Sequence, residues 1–206
     1  MNLITINFVC FVLIFFFTSC SSQRRSKRDK WQKPELIFSA IAAGKNAEKS
    51  EVFCDLGAGE GYFTLKASNK YKHIYASDID QRKLGQLFET INKRKIKNIS
   101  PVLSKLTDPL FPLGKCDVLF MALVYHHLED RINYLKNLKK YLSEKGRIIN
   151  LDNSTNIESY SGTGKRLPAK ECRFSKQTFI SEAKQAGFSY IKEHKVLPMQ
   201  YLIELK

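Results

Sequence analysis

The chain has 206 residues, 43% of them hydrophobic and 26% charged, which is enough for one globular domain with a proper core and too few for two. With 12% aromatics and strong apolar runs, intrinsic disorder is excluded for most of the length. Thirty-four Lys and Arg against twenty Asp and Glu give a net charge of +14, an excess that suits an anionic partner and says nothing about fold.

The first segment, Leu3 to Phe17, is almost wholly apolar. It is shorter than the roughly 20 apolar residues a membrane span needs and has the length of a secretory signal core. Phe17-Thr18-Ser19-Cys20 resembles the lipobox of bacterial lipoproteins, whose cysteine is lipidated and becomes the first mature residue. Residues 21–33 follow with six basic side chains, from Arg24 to Lys33, and one acid, a linker suited to anionic lipid. Two arrangements remain open. The chain is a lipoprotein held to the membrane through Cys20, or, because a positive flank is retained in the cytoplasm, it keeps its apolar segment as an anchor and faces inward. Either way the expected division is 1–20 signal or anchor, 21–33 basic linker and 34–206 folded domain.

The rest alternates helix and strand. Pro34 is placed to start a helix, and Glu35 to Ala43 has its apolar residues on one helical face. Glu51 to Asp55 reads as a first strand, Tyr62 to Lys70 as a helix, His73 to Ser77 as a second strand ending at Asp78, and Arg82 to Lys95 as an amphipathic helix. Strands follow at Ile99 to Leu103, Asp117 to Leu123 and Arg147 to Leu151, with a helix over Arg131 to Leu142. Residues 152–174 are polar and read as loop; Lys176 to Ala186 is helical, and Tyr190 to Val196 with Gln200 to Leu205 forms a closing hairpin. This order predicts a mostly parallel, helix-covered α/β sheet.

The cysteines Cys10, Cys20, Cys54, Cys116 and Cys172 form no CxxC or CxxH pair, so no zinc or thioredoxin-type site is expected from local spacing. Cys54 and Cys116 lie in apolar runs and read as buried small hydrophobes.

The chemistry is concentrated after the first strand. Asp55-Leu56-Gly57-Ala58-Gly59-Glu60-Gly61 joins a strand to a helix, where an α/β sheet binds its ligands, and the helix start offers free amides. A dinucleotide loop would want its third glycine at position 62, which is Tyr. The acid ahead of the loop would repel a pyrophosphate and suits a ligand bearing positive charge.

This pattern, with Asp78 closing the second strand, Tyr125-His126-His127-Leu128-Glu129-Asp130-Arg131 after the fourth and Lys145-Gly146-Arg147 before the fifth, resembles class I S-adenosylmethionine-dependent methyltransferases, in particular their small-molecule, ubiquinone-biosynthesis-like branch, over about residues 31–206. The resemblance implies a Rossmann-like methyltransferase fold with a seven-stranded, mostly parallel sheet and an antiparallel C-terminal hairpin. It also implies S-adenosyl-L-methionine as cofactor, held by Asp55, Gly57, Ala58, Gly59, Gly61, Asp78, Ile79 and Leu106, with Asp78 taking the ribose hydroxyls. A competing reading of Asp78 is a cap on the next helix. Lys105 stands where family members carry an acid toward the adenine amino group. His126 and His127 are each open to two readings, a general base or a histidine that fixes the turn. The expected acceptor is small or lipid-like, which makes a nucleic-acid partner the lesser reading; a non-catalytic cofactor-binding protein is a further alternative.

Overall fold

The computed structural model describes residues 28–42, 50–155 and 173–206. The apolar N-terminal segment and Cys20 lie outside them. The chain divides into an N-terminal unit ending at Glu35 and a main unit, Leu36–Lys206. In the first, residues 28–32 form a helical turn in which Arg28 Nε donates to Gln32 Oε1 at 2.5 Å.

The helices are α1 (Pro34–Ala42), α2 (Tyr62–Ala67), α3 (Gln81–Lys93), α4 (Arg131–Leu138) and α5 (Lys176–Gln185). The strands are β1 (Val52–Leu56), β2 (His73–Asp78), β3 (Ile99–Leu103), β4 (Cys116–Ala122), β5 (Leu142–Asn153), β6 (Ile191–Glu193) and β7 (Gln200–Leu205). They form one seven-stranded sheet in the order β3-β2-β1-β4-β5-β7-β6. The first five strands are parallel; β7 runs antiparallel between β5 and β6. The Rossmann-like α/β fold with an antiparallel closing hairpin is therefore as expected.

Each face of the sheet carries its own core. On one, Phe38 of α1, Phe53, Phe63, Tyr71 and Phe120 pack together, with Phe53 and Tyr71 rings 4.7 Å apart and Phe63 edge-on to Phe120 at 4.9 Å. On the other, Leu119, Met121, Tyr125, Leu135, Phe179 and Ile203 bury against α4 and α5. At the amino edge of the strands, buried Arg147 donates to both carboxylate oxygens of Glu51 at 3.0 and 3.3 Å and to the Ile41 carbonyl at 3.1 Å, so one guanidinium fork ties α1, β1 and β5 together.

Three local expectations change. The fifth strand does not start at Arg147: β5 begins at Leu142 and takes in Gly146, where a Cβ would stand 2.5 Å from the Cys116 carbonyl oxygen, so the missing side chain lets β4 and β5 close across a register irregularity. The helix expected through Leu142 stops at Leu138 and tightens into a 3-10 turn, Lys139–Tyr141. Cys54 of β1 and Cys116 of β4 are both fully buried, as read, but they are joined as a disulfide, Cα atoms 5.7 Å apart. Among the described residues no helix is long and apolar enough to cross a membrane.

Candidate active site

The carboxyl ends of β1, β2, β4 and β5 bring together most of the residues singled out in the sequence. Asp55, buried at the end of β1, accepts from Thr64 Oγ1 at 2.5 Å, tying the strand to the first turn of α2 across the glycine loop. Gly57 and Ala58 both donate to the Ser77 carbonyl of β2 at 2.8 and 3.0 Å, and Gly61 donates back to Ala58. The loop is thus held closed by its own backbone.

The three glycines have left-handed φ of +73°, +55° and +80°, which residues with a Cβ rarely adopt, but their surroundings differ. A Cβ at Gly57 would overlap Val124 Cγ2 at 2.3 Å and one at Gly61 would overlap Leu87 Cδ1 at 2.4 Å, whereas at Gly59 nothing approaches within 3.9 Å. Gly57 and Gly61 are therefore needed by the protein's own packing. Gly59 alone presents open backbone, the property a ligand-cradling position requires.

Asp78 ends β2, nearly buried. Its Oδ2 accepts from Gly59 N at 2.7 Å and its Oδ1 from Asp80 N at 2.9 Å. The cap of α3 is Asp80, which accepts from the amides of Arg82 and Lys83 at 3.0 and 3.1 Å, so the capping alternative for Asp78 does not hold. Each Asp78 oxygen has accepted one bond and retains capacity for another, which fits two vicinal hydroxyls. Beside it Ile79 is 57% and Leu106 76% exposed, apolar surface of the kind that a flat base can cover. Lys105 is exposed, and its backbone forms a bridge with Asp108. Asp108 itself faces away: burial would raise its pKa, but hydrogen bonds from Lys140, Tyr141 and the Leu110 amide bring it down to about 2.

The end of β4 approaches the same loop. Leu123 has φ +61° and donates its N–H to Leu151 of β5, and the following Val124 packs on Gly57. The chain then enters a 3-10 turn, Tyr125–His127. Tyr125 O–H donates to Glu182 at 2.6 Å, and Arg131 forks onto the same carboxylate, locking this turn to α5. His126 is turned inward, its Nδ1 2.9 and 3.0 Å from the two oxygens of Asp152. His127 is exposed, its ring 4.1 Å from that of His126; burial and the neighbouring imidazole lower its pKa against the pull of Asp152.

Asp152 escaped the sequence reading because it opens a polar stretch taken as loop, while β5 in fact runs on to Asn153. A signal was present: Asp55, Asp78 and Asp152 each stand at or next to the last position of an apolar strand. Across β7, Tyr201 pairs with Asp152. Burial first, then the charge of Asp152, pushes its hydroxyl far above the ordinary tyrosine range, so it stays neutral. Asn150 lies on the same face and, among the described residues, neither its amide nor the Tyr201 hydroxyl closes a well-formed hydrogen bond.

An acid-flanked glycine loop, an acceptor-rich Asp78 and adjoining apolar surface fit S-adenosylmethionine, and comparison with known proteins agrees. Residues 28–193 match the family described as "Methyltransferase domain". A tRNA (guanine(37)-N(1))-methyltransferase, Trm5b of Pyrococcus abyssi, is 31% identical over 70 residues, 34% of this chain; the match spans only 21% of that relative's length. Among solved structures, a SAM-dependent methyltransferase from Aquifex aeolicus superposes with a TM-score of 0.71 at 19% identity, covering 89% of this chain and 96% of that one. A phosphoethanolamine N-methyltransferase 2 from Haemonchus contortus, in complex with phosphomonomethylethanolamine and S-adenosylhomocysteine, superposes at 0.63 with 16% identity, over 80% of this chain and 38% of that one. At these identities the two structures speak for the fold, and the family match carries the assignment: the chain belongs to the methyltransferase-domain family and is an S-adenosyl-L-methionine-dependent methyltransferase.

Proposed function

We propose that the protein transfers the methyl group to a small or lipid-like acceptor, with His126 as the general base. The observation that carries this is the packing of Val124 on Gly57, which sets the His126 turn against the loop proposed to hold the cofactor. In this reading Asp55, Gly57, Ala58, Gly59 and Gly61 shape that loop, Asp78 receives the ribose hydroxyls, and Ile79 and Leu106 flank the adenine. The bound cofactor supplies an already activated methyl group. The chain's own task is then to align the acceptor, exclude water and accept a proton. His127, exposed and held by no carboxylate hydrogen bond among the described residues, is the lesser candidate.

The test is titration of the protein with S-adenosylmethionine by calorimetry, followed by incubation with methyl-labelled cofactor and separate lipid and aqueous metabolite extracts. Saturable binding with label entering one extract is expected; binding without transfer to either would overturn the acceptor class. A second reading, RNA as acceptor, has the positive charge and the tRNA methyltransferase relative in its support. It predicts RNA retention that falls steeply with salt.

We further propose that the chain is held to the membrane, by lipid on Cys20 with the domain outside the cytoplasm. The lipobox-like segment supports this, and so does the Cys54–Cys116 disulfide, since disulfides persist in oxidising compartments and are rare in the cytosol. The basic run from Arg24 to Lys33 supports the competing arrangement, an uncleaved anchor facing inward.

A further inference from the structure

We propose that Asp152 is the positioning residue of the reaction: it holds His126 as the Nδ1–H tautomer, leaves Nε2 as the proton acceptor, and thereby restricts the acceptor to groups that must lose a proton, such as a hydroxyl or a thiol. This inference rests on the reading of His126 as base and adds a residue and a substrate class to it.

The Asp152 side chain has no exposed surface and that of His126 only 3%. A carboxylate without donors in such a place would cost several kcal/mol. Among the described residues two donors meet it: the Asn153 amide, which reaches Oδ1 at 2.8 Å, and Nδ1 of His126, almost equidistant from both oxygens. An ionised carboxylate can only accept, so Nδ1 carries the hydrogen. In a neutral imidazole the other nitrogen is then a bare acceptor, and Nε2 of His126 has no hydrogen-bond partner among the described residues.

The neighbours do not compete for this role. The Tyr201 hydroxyl, across the strand pair from Asp152, stays neutral, and His127 lies outside on the exposed side. Glu182 is occupied by Tyr125 and Arg131. The backbone supports the same aim: the Leu123 N–H to Leu151 carbonyl bond at 2.8 Å fixes the end of β4 to β5 immediately before Asp152. An oriented imidazole with a carboxylate behind it serves a reaction in which a proton leaves. A tertiary amine or a thioether has no proton to give and would gain nothing from it. As the new bond forms between methyl carbon and acceptor, the bond to sulfur breaks with its electron pair staying on sulfur, and the acceptor's proton moves to Nε2.

The test reads the tautomer directly. In full-length protein with 15N-labelled histidine, the His126 signals are assigned by their loss in His126→Gln, and long-range proton–nitrogen spectra show which nitrogen is protonated. Wild type is expected to show protonated Nδ1 and bare Nε2. In Asp152→Asn the new amide can donate to Nδ1, and the pattern should invert. A wild-type His126 protonated at Nε2 alone would overturn the proposal without need of any variant. Incorporation of labelled methyl into the extracts should fall about 100-fold or more in Asp152→Asn, with calorimetric affinity for S-adenosylmethionine within twofold of wild type. The wild-type tautomer with undiminished incorporation in both His126→Ala and Asp152→Asn would instead overturn the base reading and the acceptor class. Absence of cofactor binding by wild type is a separate failure, that of the donor site.

Discussion

Single residues around the glycine loop divide into those the protein needs for itself and those left for a ligand, and substitution can separate them. Gly61→Ala places a Cβ against Leu87 in a left-handed backbone; we expect a loss of about 2 kcal/mol of stability or more, read by denaturant unfolding. Gly59→Ala meets open space and should cost only the backbone strain of about 1–2 kcal/mol, while calorimetric affinity for S-adenosylmethionine falls. Equal effects of the two changes on stability and on affinity would erase the distinction. Asp78→Ala removes acceptors from both the loop and the proposed ribose position. Losing hydrogen bonds to this charged group should cost about 1.5–3 kcal/mol in all, so affinity should drop roughly 10- to 150-fold. An unchanged affinity would take Asp78 out of the ribose site.

At the scale of elements, the Arg147 fork shows how the far edge of the sheet is kept shut. Arg147→Ala leaves Glu51 and the Ile41 carbonyl without this donor, and the usual loss on breaking such a buried pair is about 3–5 kcal/mol; thermal unfolding should register it while cofactor affinity in the folded protein stays unchanged. Asp108 makes a pH-dependent link between the segment after β3 and the 3-10 turn after α4. Its folded pKa of about 2 lies below the ordinary value of 3.8, so its stabilising contribution is complete above about pH 4 and is lost as pH falls toward 2. Asp108→Asn should flatten that part of the acid unfolding curve. Most of these elements were legible in the sequence, because β1 and β2 are apolar runs closed by an acid and α3 has Leu84, Leu87 and Ile91 on one face. The start of β5 was not: Ser143-Glu144-Lys145-Gly146 has the composition of a turn, and it falls where the register with β4 shifts between Cys116 and Val118, a contact between distant segments that local composition does not carry. The same strand's far end hid Asp152, since a polar residue ahead of a polar stretch gives no periodic signal. Nor could spacing pair Cys54 with Cys116, whose meeting depends on β1 and β4 lying side by side.

At the scale of the whole molecule, the proposed attachment to a membrane can be tested together with its sidedness. If Cys20 is lipidated, Cys20→Ala should abolish labelling by a radioactive fatty acid and leave the signal segment uncleaved; full-length protein that still carries Met1–Ser19 and resists protease added to spheroplasts would favour the inward-facing anchor. Reduction should destabilise the domain by about 2–4 kcal/mol, the usual contribution of a native disulfide, seen as a lower Tm in dithiothreitol. The position of that bond also matters. β1 and β4 are the adjacent strands at which the sheet changes direction of winding, with the strands of the proposed donor site on one side and those of the proposed acceptor site on the other. The chain crosses between these halves through the stretch that includes exposed Lys105 and Leu106, so a protease that cuts there severs the polypeptide but not the molecule. Trypsin cleavage after Lys105 should yield two pieces that migrate as one species without reductant and part when it is added, because the halves are held by a covalent seam independent of the backbone.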